Sequence, residues 1–261
     1  KHRGNARQVV VPLVRRDSMG ASHHVLTFEF ETPLEARAGH FAMVRGANWG
    51  QAPFLPRPMS LLNGGKRPQV LVKVVGEGTR RLAASEPGDE FAILAPLGRP
   101  WSACPTDRTP VLVAGGVGVC PLLYLSRELT EQGHRPIALY GGRCSADLAL
   151  EDEFADTSDL RVATEDGSLG DMGRVTVLVE RTLAETHGKA KLYACGPEPM
   201  MAAVVAMAQK AGVPCEVSLE TVMACGYGVC LGCAVPKTGG GFLYACSDGP
   251  CVDGYLIDWD K

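Results

Sequence analysis

The chain has 261 residues, a net charge of −3 and a pI near 6.1, with 46% hydrophobic and 21% charged side chains. That length suits one large or two ordinary domains, and the composition excludes a disordered or fibrous protein. Mild acidity, with basic doublets only at Arg15-Arg16, Lys66-Arg67 and Arg80-Arg81, argues against a nucleic-acid or anionic-membrane surface.

The first hundred residues read as short strands at 8–14, 24–31, 40–45, 57–62, 70–75 and 90–95, separated by Gly, Pro and Asn clusters. Six strands at this spacing predict an antiparallel barrel. One short helix is expected at 79–85, stopped by Glu86-Pro87-Gly88.

The rhythm changes after a proline-rich joint at 100–110. Residues 109–126 carry no charge and could pass for a membrane span, but two prolines and three glycines make them a strand, a turn and the start of a helix. Strands are predicted at 111–114, 136–140, 160–164, 191–194 and 215–218, alternating with helices at 121–131, 146–154, 176–186 and 198–211. Such alternation implies parallel crossovers and a doubly wound sheet that binds ligands at the carboxyl ends of its strands.

From residue 219 neither period holds, and five of the ten cysteines fall in the last 37 residues. A disulfide-stapled secreted domain would be small and would carry a signal sequence, and none is visible. The expectation is therefore a soluble, cytoplasmic protein with a metal cofactor at its C-terminus. The organisation predicted is a multi-domain α+β and α/β chain: a β-barrel at 1–103, a doubly wound domain at 104–218 and a small cysteine-rich module at 219–261.

Cys225, Cys230 and Cys233 form C-x4-C-x2-C, and Cys246 follows after twelve residues. This is the plant-type [2Fe–2S] ligand order. Glycines at 226, 228 and 232 let the backbone turn tightly and aim N–H groups at the sulfurs. Structural zinc usually shows paired C-x2-C knuckles, and only one such pair exists here. Residues 236–244, with three consecutive glycines, read as a hairpin returning Cys246 to the site. Cys251 competes as fourth ligand, but the turn-like Ser247-Asp248-Gly249-Pro250 favours Cys246.

Arg57-Pro58-Met59-Ser60 opens an apolar strand where an arginine could grip a pyrophosphate bidentately. Gly76-Glu77-Gly78-Thr79 opens the short helix and offers free N–H groups to a phosphate. Gly115-Gly116-Val117-Gly118 lies between a strand and a helix, as a pyrophosphate turn does, although it is not G-x-G-x-x-G. Cys195-Gly196-Pro197 ends a further strand, and Asp166-Gly167-Ser168 is a plausible loop at another strand end.

Together these motifs resemble the ferredoxin–NADP reductase superfamily. With the C-terminal cysteine pattern, the whole chain resembles the electron-transfer subunits of class 1B dihydroorotate dehydrogenase. That resemblance implies FAD held by Arg57, Pro58, Met59 and Ser60, with Ser60 near the redox-active edge and Gly78 and Thr79 at the pyrophosphate. It places Leu71, Val72 and Lys73 beside the FAD, with Lys73 offsetting phosphate charge, although ordinary barrel core is an equal reading for Leu71 and Val72. His40 reads as a surface or packing residue. NAD(H) would lie against Gly116, Gly118, Cys195 and Gly196, with NAD preferred over NADP because no basic cluster suits a 2′-phosphate. Cys225, Cys230, Cys233 and Cys246 would hold the [2Fe–2S] cluster.

The implied activity is oxidoreduction in pyrimidine biosynthesis, with electrons passing through the cluster and FAD to NAD+. The implied partner is an FMN-containing catalytic subunit that oxidises dihydroorotate, in a heterotetramer of two of each, with no nucleic acid and no membrane. No catalytic acid or base is expected in this chain, because the cofactors carry the chemistry. Met223, Tyr227, Val229 and Leu231 are the expected docking face. The alternative is the same module in a sulfur, hydrogenase or transhydrogenase complex. A scaffold with decayed sites is disfavoured by the intact motifs.

Overall fold

The computed structural model describes residues 6–20 and 22–260. Its first half is a six-stranded sheet built from β1 (Arg7–Met19), β2 (His23–Phe28), β3 (Phe41–Gly46), β4 (Arg57–Ser60), β5 (Gln69–Lys73) and β6 (Glu90–Leu97). The order is β4-β3-β6-β1-β2-β5, and every pairing is antiparallel. A bridge between Leu61 and Val70 brings the two edge strands together and nearly closes the barrel.

Strand side chains alternate between faces. Leu13, Leu26, Phe28, Val44, Val72, Phe91 and Ile93 therefore fill the barrel interior. The short helix α1 (Glu77–Ala83) plugs that interior with the fully buried Leu82.

One barrel expectation shifts. β1 runs to Met19 rather than ending near 14, because Arg15 to Ser18 pair with β2 beyond a register shift at Leu13/Arg15. Those residues face water and carry no apolar alternation, so their strand character left no hydrophobic signal.

The second unit has the predicted winding. Strands β7 (Thr109–Gly115), β8 (Ile137–Gly142), β9 (Asp159–Thr164), β10 (Asp171–Met172), β11 (Ala190–Cys195) and β12 (Cys215–Ser218) alternate with helices α2 (Val119–Glu131), α3 (Glu151–Thr157), α4 (Thr176–Glu185) and α5 (Glu198–Ala211). Leu112 and Ala114 face the side covered by α2 and α3, while Val111 and Val113 face the side covered by α4 and α5. The helix expected at 146–154 is broken. A 3-10 turn at Ser145–Asp147 and a left-handed Leu150 (φ 60°) precede α3, whose first turn carries Glu151, Asp152 and Glu153. The two-residue edge strand β10 was too short to predict.

The tail forms the expected hairpin, β13 (Ala234–Pro236) with β14 (Phe242–Tyr244), and then β15 (Cys251–Asp253). β15 pairs antiparallel with β12, so the cysteine module extends the doubly wound sheet to the order β10-β9-β8-β7-β11-β12-β15. Met223, Cys233, Leu243, Ala245 and Cys246 share one core with Phe41, Met43 and Leu97 of the barrel. The module is thus wedged against both other units. Among the described residues no helix is long and apolar enough to cross a membrane.

Candidate functional site

β4 is an edge strand, so its sequence motif borders open space. Arg57 reaches from it to the first turn of α1, where a Cβ on Gly78 would lie 2.1 Å from Arg57 Nε. Without a side chain at 78 the guanidinium packs directly on the helix, and the two halves of the proposed pyrophosphate site are brought together by that contact. Thr79 Oγ1 accepts the N–H groups of Val75 (2.9 Å) and Gly76 (3.1 Å), which fixes the helix start. The first-turn N–H groups beside Arg57 stay free for an anion. Pro58 and Ser60 are half-buried while Met59 packs into the barrel, and Cys120 of α2 donates to the Ser60 carbonyl at 3.3 Å.

The three residues of β5 divide. Val72 is fully buried in the barrel, leaving its backbone alone for a cofactor, and Leu71 packs against the doubly wound domain. Lys73 Nζ lies 3.0 Å from Asp147, which Arg143 also binds at 2.9 Å. Lys73 therefore ties the barrel to the nucleotide domain, and it lines the nucleotide cleft as well. His40 is a packing residue: its Nδ1 accepts the Arg37 N–H at 3.0 Å, and burial, aided by Arg37, pushes its pKa down to about 4.

The winding of the parallel sheet reverses between β7 and β11, and there the nicotinamide motifs meet. A Cβ on Gly118 would fall 2.1 Å from the Cys195 carbonyl oxygen. A cleft of about 410 Å3 opens at these strand ends, lined by Gly115, Gly116, Pro197, Met200, Arg143 and Glu165, among others. Cys195 is 1% exposed, and burial raises its thiol far above the ordinary value, so it is a buried neutral thiol rather than a nucleophile, and like Gly118 and Gly196 it is not among the residues that line the cleft.

Sequence reading missed several charged groups here. Arg143, Arg174, Asp147 and Glu165 gather at the cleft from remote positions, and Lys73, expected beside the FAD, joins them there. Two of these cations are bound to Asp147. Glu220, just beyond β12, is an exposed residue whose carboxyl is nonetheless crowded by protein. Burial raises its carboxyl, and its charge is felt by Cys120 and Cys195. A lone carboxylate after a strand carries no spacing signal.

The Asp147 carboxyl is held well below its ordinary value, by the Arg143 hydrogen bond first and by Lys73 as well, against the opposing effect of burial. This depressed carboxyl stabilises the fold fully above the ordinary value near 3.8, and the contribution fades as pH falls through the depressed one. Lys73→Met is expected to cost about 1 kcal/mol at neutral pH. Thermal melts of the two proteins should converge in strong acid, and a gap that persists there would refute the ion-pair account.

The cysteine loop brings two of its thiols into a pair. Cys233 and Cys246 have Sγ atoms 3.2 Å apart, while Cys230 meets Cys225 through its backbone N–H, 3.5 Å from Cys225 Sγ. Among the described residues no three His, Cys, Asp or Glu side chains are arranged to hold a metal ion. Gly228 N–H points at Cys246 Sγ (3.1 Å), and the N–H groups of Val229 (3.4 Å) and Cys230 (3.5 Å) point at Cys225 Sγ. Burial pushes the Cys225 thiol up, but these N–H donors outweigh it and bring its pKa to about 6. Cysteines gathered in one loop with backbone donors aimed at their sulfurs fit a two-iron cluster. Cys251 sits apart in β15, packed on Gly39.

Fold and sites together define a ferredoxin–NADP reductase-like flavoprotein with an added iron–sulfur module. The iron–sulfur cluster binding domain of dihydroorotate dehydrogenase B matches residues 220–258, and the oxidoreductase NAD-binding domain matches residues 112–206. The dihydroorotate dehydrogenase B (NAD(+)) electron transfer subunit of Geobacillus kaustophilus is 40% identical over 205 residues, which are 76% of this chain and 78% of that one. Its counterpart in Desulforamulus reducens is 35% identical over 243 residues, 89% of this chain and 92% of that one. A solved structure of NADH-dependent reduced ferredoxin-NADP oxidoreductase, described for flavin-based electron bifurcation, has a TM-score of 0.84 at 29% identity. It covers 97% of this chain and 91% of that one. The chain belongs to the family of dihydroorotate dehydrogenase B electron transfer subunits. Its cofactors are FAD, a [2Fe–2S] cluster and NAD(H).

Proposed function

We propose that this chain carries electrons between a dihydroorotate-oxidising FMN subunit and NAD+ in pyrimidine biosynthesis, in a heterotetramer of two of each subunit. The observation that carries this reading is the four-cysteine loop wedged between barrel and nucleotide domain, with Cys233 and Cys246 paired and backbone N–H groups aimed at Cys225 and Cys246. When bound, FAD supplies hydride exchange with NAD(H) and single-electron exchange with the cluster. The chain's own residues bind and orient. Arg57 and the first turn of α1 would hold the FAD pyrophosphate, with Pro58, Met59 and Ser60 beside the flavin and the β5 backbone flanking it. Gly116, Gly118, Cys195 and Gly196 would shape the nicotinamide crevice, and Cys225, Cys230, Cys233 and Cys246 would ligate iron. The base that acts on dihydroorotate would belong to the partner. All ten cysteines are free, which supports a reducing, cytoplasmic setting.

The cluster loop also supplies the docking face. Tyr227, Val229 and Leu231 are 52%, 61% and 51% exposed. Met223, expected among them, is instead buried beneath the loop at 7%. Large apolar side chains over a redox centre fit a partner that must bring its own centre close.

One solved structure favours a second reading, a subunit of another NAD(P)H-linked complex, since it covers 97% of the chain. Anaerobic protein co-expressed with its flavin partner distinguishes the two. Bleaching of flavin and cluster bands by both NADH and dihydroorotate is expected, and Val229→Asp should abolish the dihydroorotate response while sparing that to NADH. Bleaching of the unmutated complex by NADH alone would move the chain to the second reading.

A further inference from the structure

The cysteine loop meets the barrel at Met43. A Cβ on Gly226, next to the ligand Cys225, would lie 2.4 Å from Met43 Cγ, 2.8 Å from Met43 Sδ and 3.3 Å from Leu97 Cδ1. Gly226 also has φ +76°, a conformation that disfavours any side chain. The loop backbone thus bears directly on the methionine, which is 2% exposed.

β3 explains how Met43 comes to be there. Ala42 and Val44 point into the barrel, so Phe41 and Met43 point outward into the core shared with the cysteine module. In the ladder with β4, Met43 stands opposite Pro58 and Phe41 opposite Ser60. Residues directly opposite in such a ladder have Cβ atoms about 5 Å apart. One outward face of two neighbouring strands therefore carries the flavin motif on β4 and the support of the cysteine loop on β3.

We infer that Met43 is a positioning residue that sets the separation between the flavin strand and the iron–sulfur loop. The inference rests on the flavin and cluster assignments made above. Its backbone is tied by the ladder to the strand of Pro58, while its Cγ and Sδ form the surface on which Gly226 rests. An unbranched thioether fills that irregular gap without forcing either side apart. With both groups bound, this gap is the one that an electron exchanged between flavin and cluster would cross.

The test uses the complete protein with both cofactors, mixed anaerobically with NADH while flavin and cluster bands are followed separately, with iron release to a chelator measured in parallel. For Gly226→Ala, the flavin phase should keep the wild-type rate, and iron should leave faster. The cluster phase should slow by about tenfold, less than the roughly hundredfold that an ångström misplacement can cost in bond-making steps.

The double variant Gly226→Ala/Met43→Ala should recover part of the cluster rate, because the added methyl enters space the methionine vacated while the strain of a side chain at φ +76° remains. Met43→Ala alone keeps Gly226, so cluster loading should survive even where Gly226→Ala fails to load. It should speed iron release and slow the cluster phase. A double variant no better than Gly226→Ala, parallel slowing of both phases, or an unaltered Met43→Ala would each overturn the inference. Wild-type protein in which NADH bleaches neither band would overturn the functional reading and this inference with it.

Discussion

Replacing Cys246 with alanine is expected to give a protein that binds flavin and still accepts a hydride from NADH but has lost its cluster bands. Cys246 is 3% exposed, pairs with Cys233 at 3.2 Å and accepts the Gly228 N–H at 3.1 Å. Removing it leaves one iron short of a thiolate and one backbone donor without its acceptor. Binding free energy at such a site is also folding free energy for the loop that forms it. Residues 224–232 are turns and bends with little regular pairing of their own, so loss of the cluster should loosen them. The barrel interior and the core beneath α2 and α3 include none of the four ligands and should survive. Electron passage to the partner should fall to background while flavin reduction persists. Cys251→Ala is the matched comparison, removing a buried thiol from β15 at a cost of about 1 kcal/mol and keeping the cluster. Iron content and visible spectra of the two variants decide the fourth ligand. A full cluster in Cys246→Ala and none in Cys251→Ala would reverse the assignment.

What made these sites readable was local spacing. C-x4-C-x2-C is a ligand arrangement written into one loop, and strand, glycine turn and helix occur consecutively at 111–121. Features assembled from distant segments were not readable. Lys73 could be placed beside the FAD, but its partner Asp147 lies 74 residues away in a turn that was taken for helix. Arg143, Arg174 and Glu165 meet only because successive parallel strands end on one edge. The same limit applies to Met43, an ordinary apolar residue in an alternating strand until the tail folds back on it. Burial also misled. Met223 and Tyr227 stand four residues apart in an apolar run, yet one lies beneath the loop and the other faces water, because the turns there follow no helical or strand period. The boundary at 218/219 fits the change in composition, but β15 crosses back over it to pair with β12.

Gly118→Ala should nearly abolish hydride transfer from NADH while sparing the cluster. Gly118 ends the 3-10 turn Gly116–Gly118 and leads into α2. Its φ of −60° suits any residue, so the demand for glycine there is steric. An added Cβ would meet the Cys195 carbonyl oxygen at 2.1 Å, its carbon at 2.4 Å and the Gly196 nitrogen at 2.8 Å. All three are backbone atoms at the end of β11, which is locked to β7 by the ladder through Cys195 and Ala114. No rotamer change relieves the overlap, so α2 and the end of β11 must move apart, at a cost of about 1–3 kcal/mol. That movement widens the crevice where nicotinamide and flavin must be held together. Hydride transfer depends steeply on such placement, and a loss of about hundredfold in the NADH-to-flavin rate is expected. Reduction of the cluster by dithionite should be unchanged, because the loop rests on Met43 and Leu97 rather than on α2. Stopped-flow reduction of the flavin, with FAD content measured on the same samples, separates lost chemistry from lost cofactor. Wild-type kinetics in Gly118→Ala would mean that the nicotinamide does not use the crevice between β7 and β11.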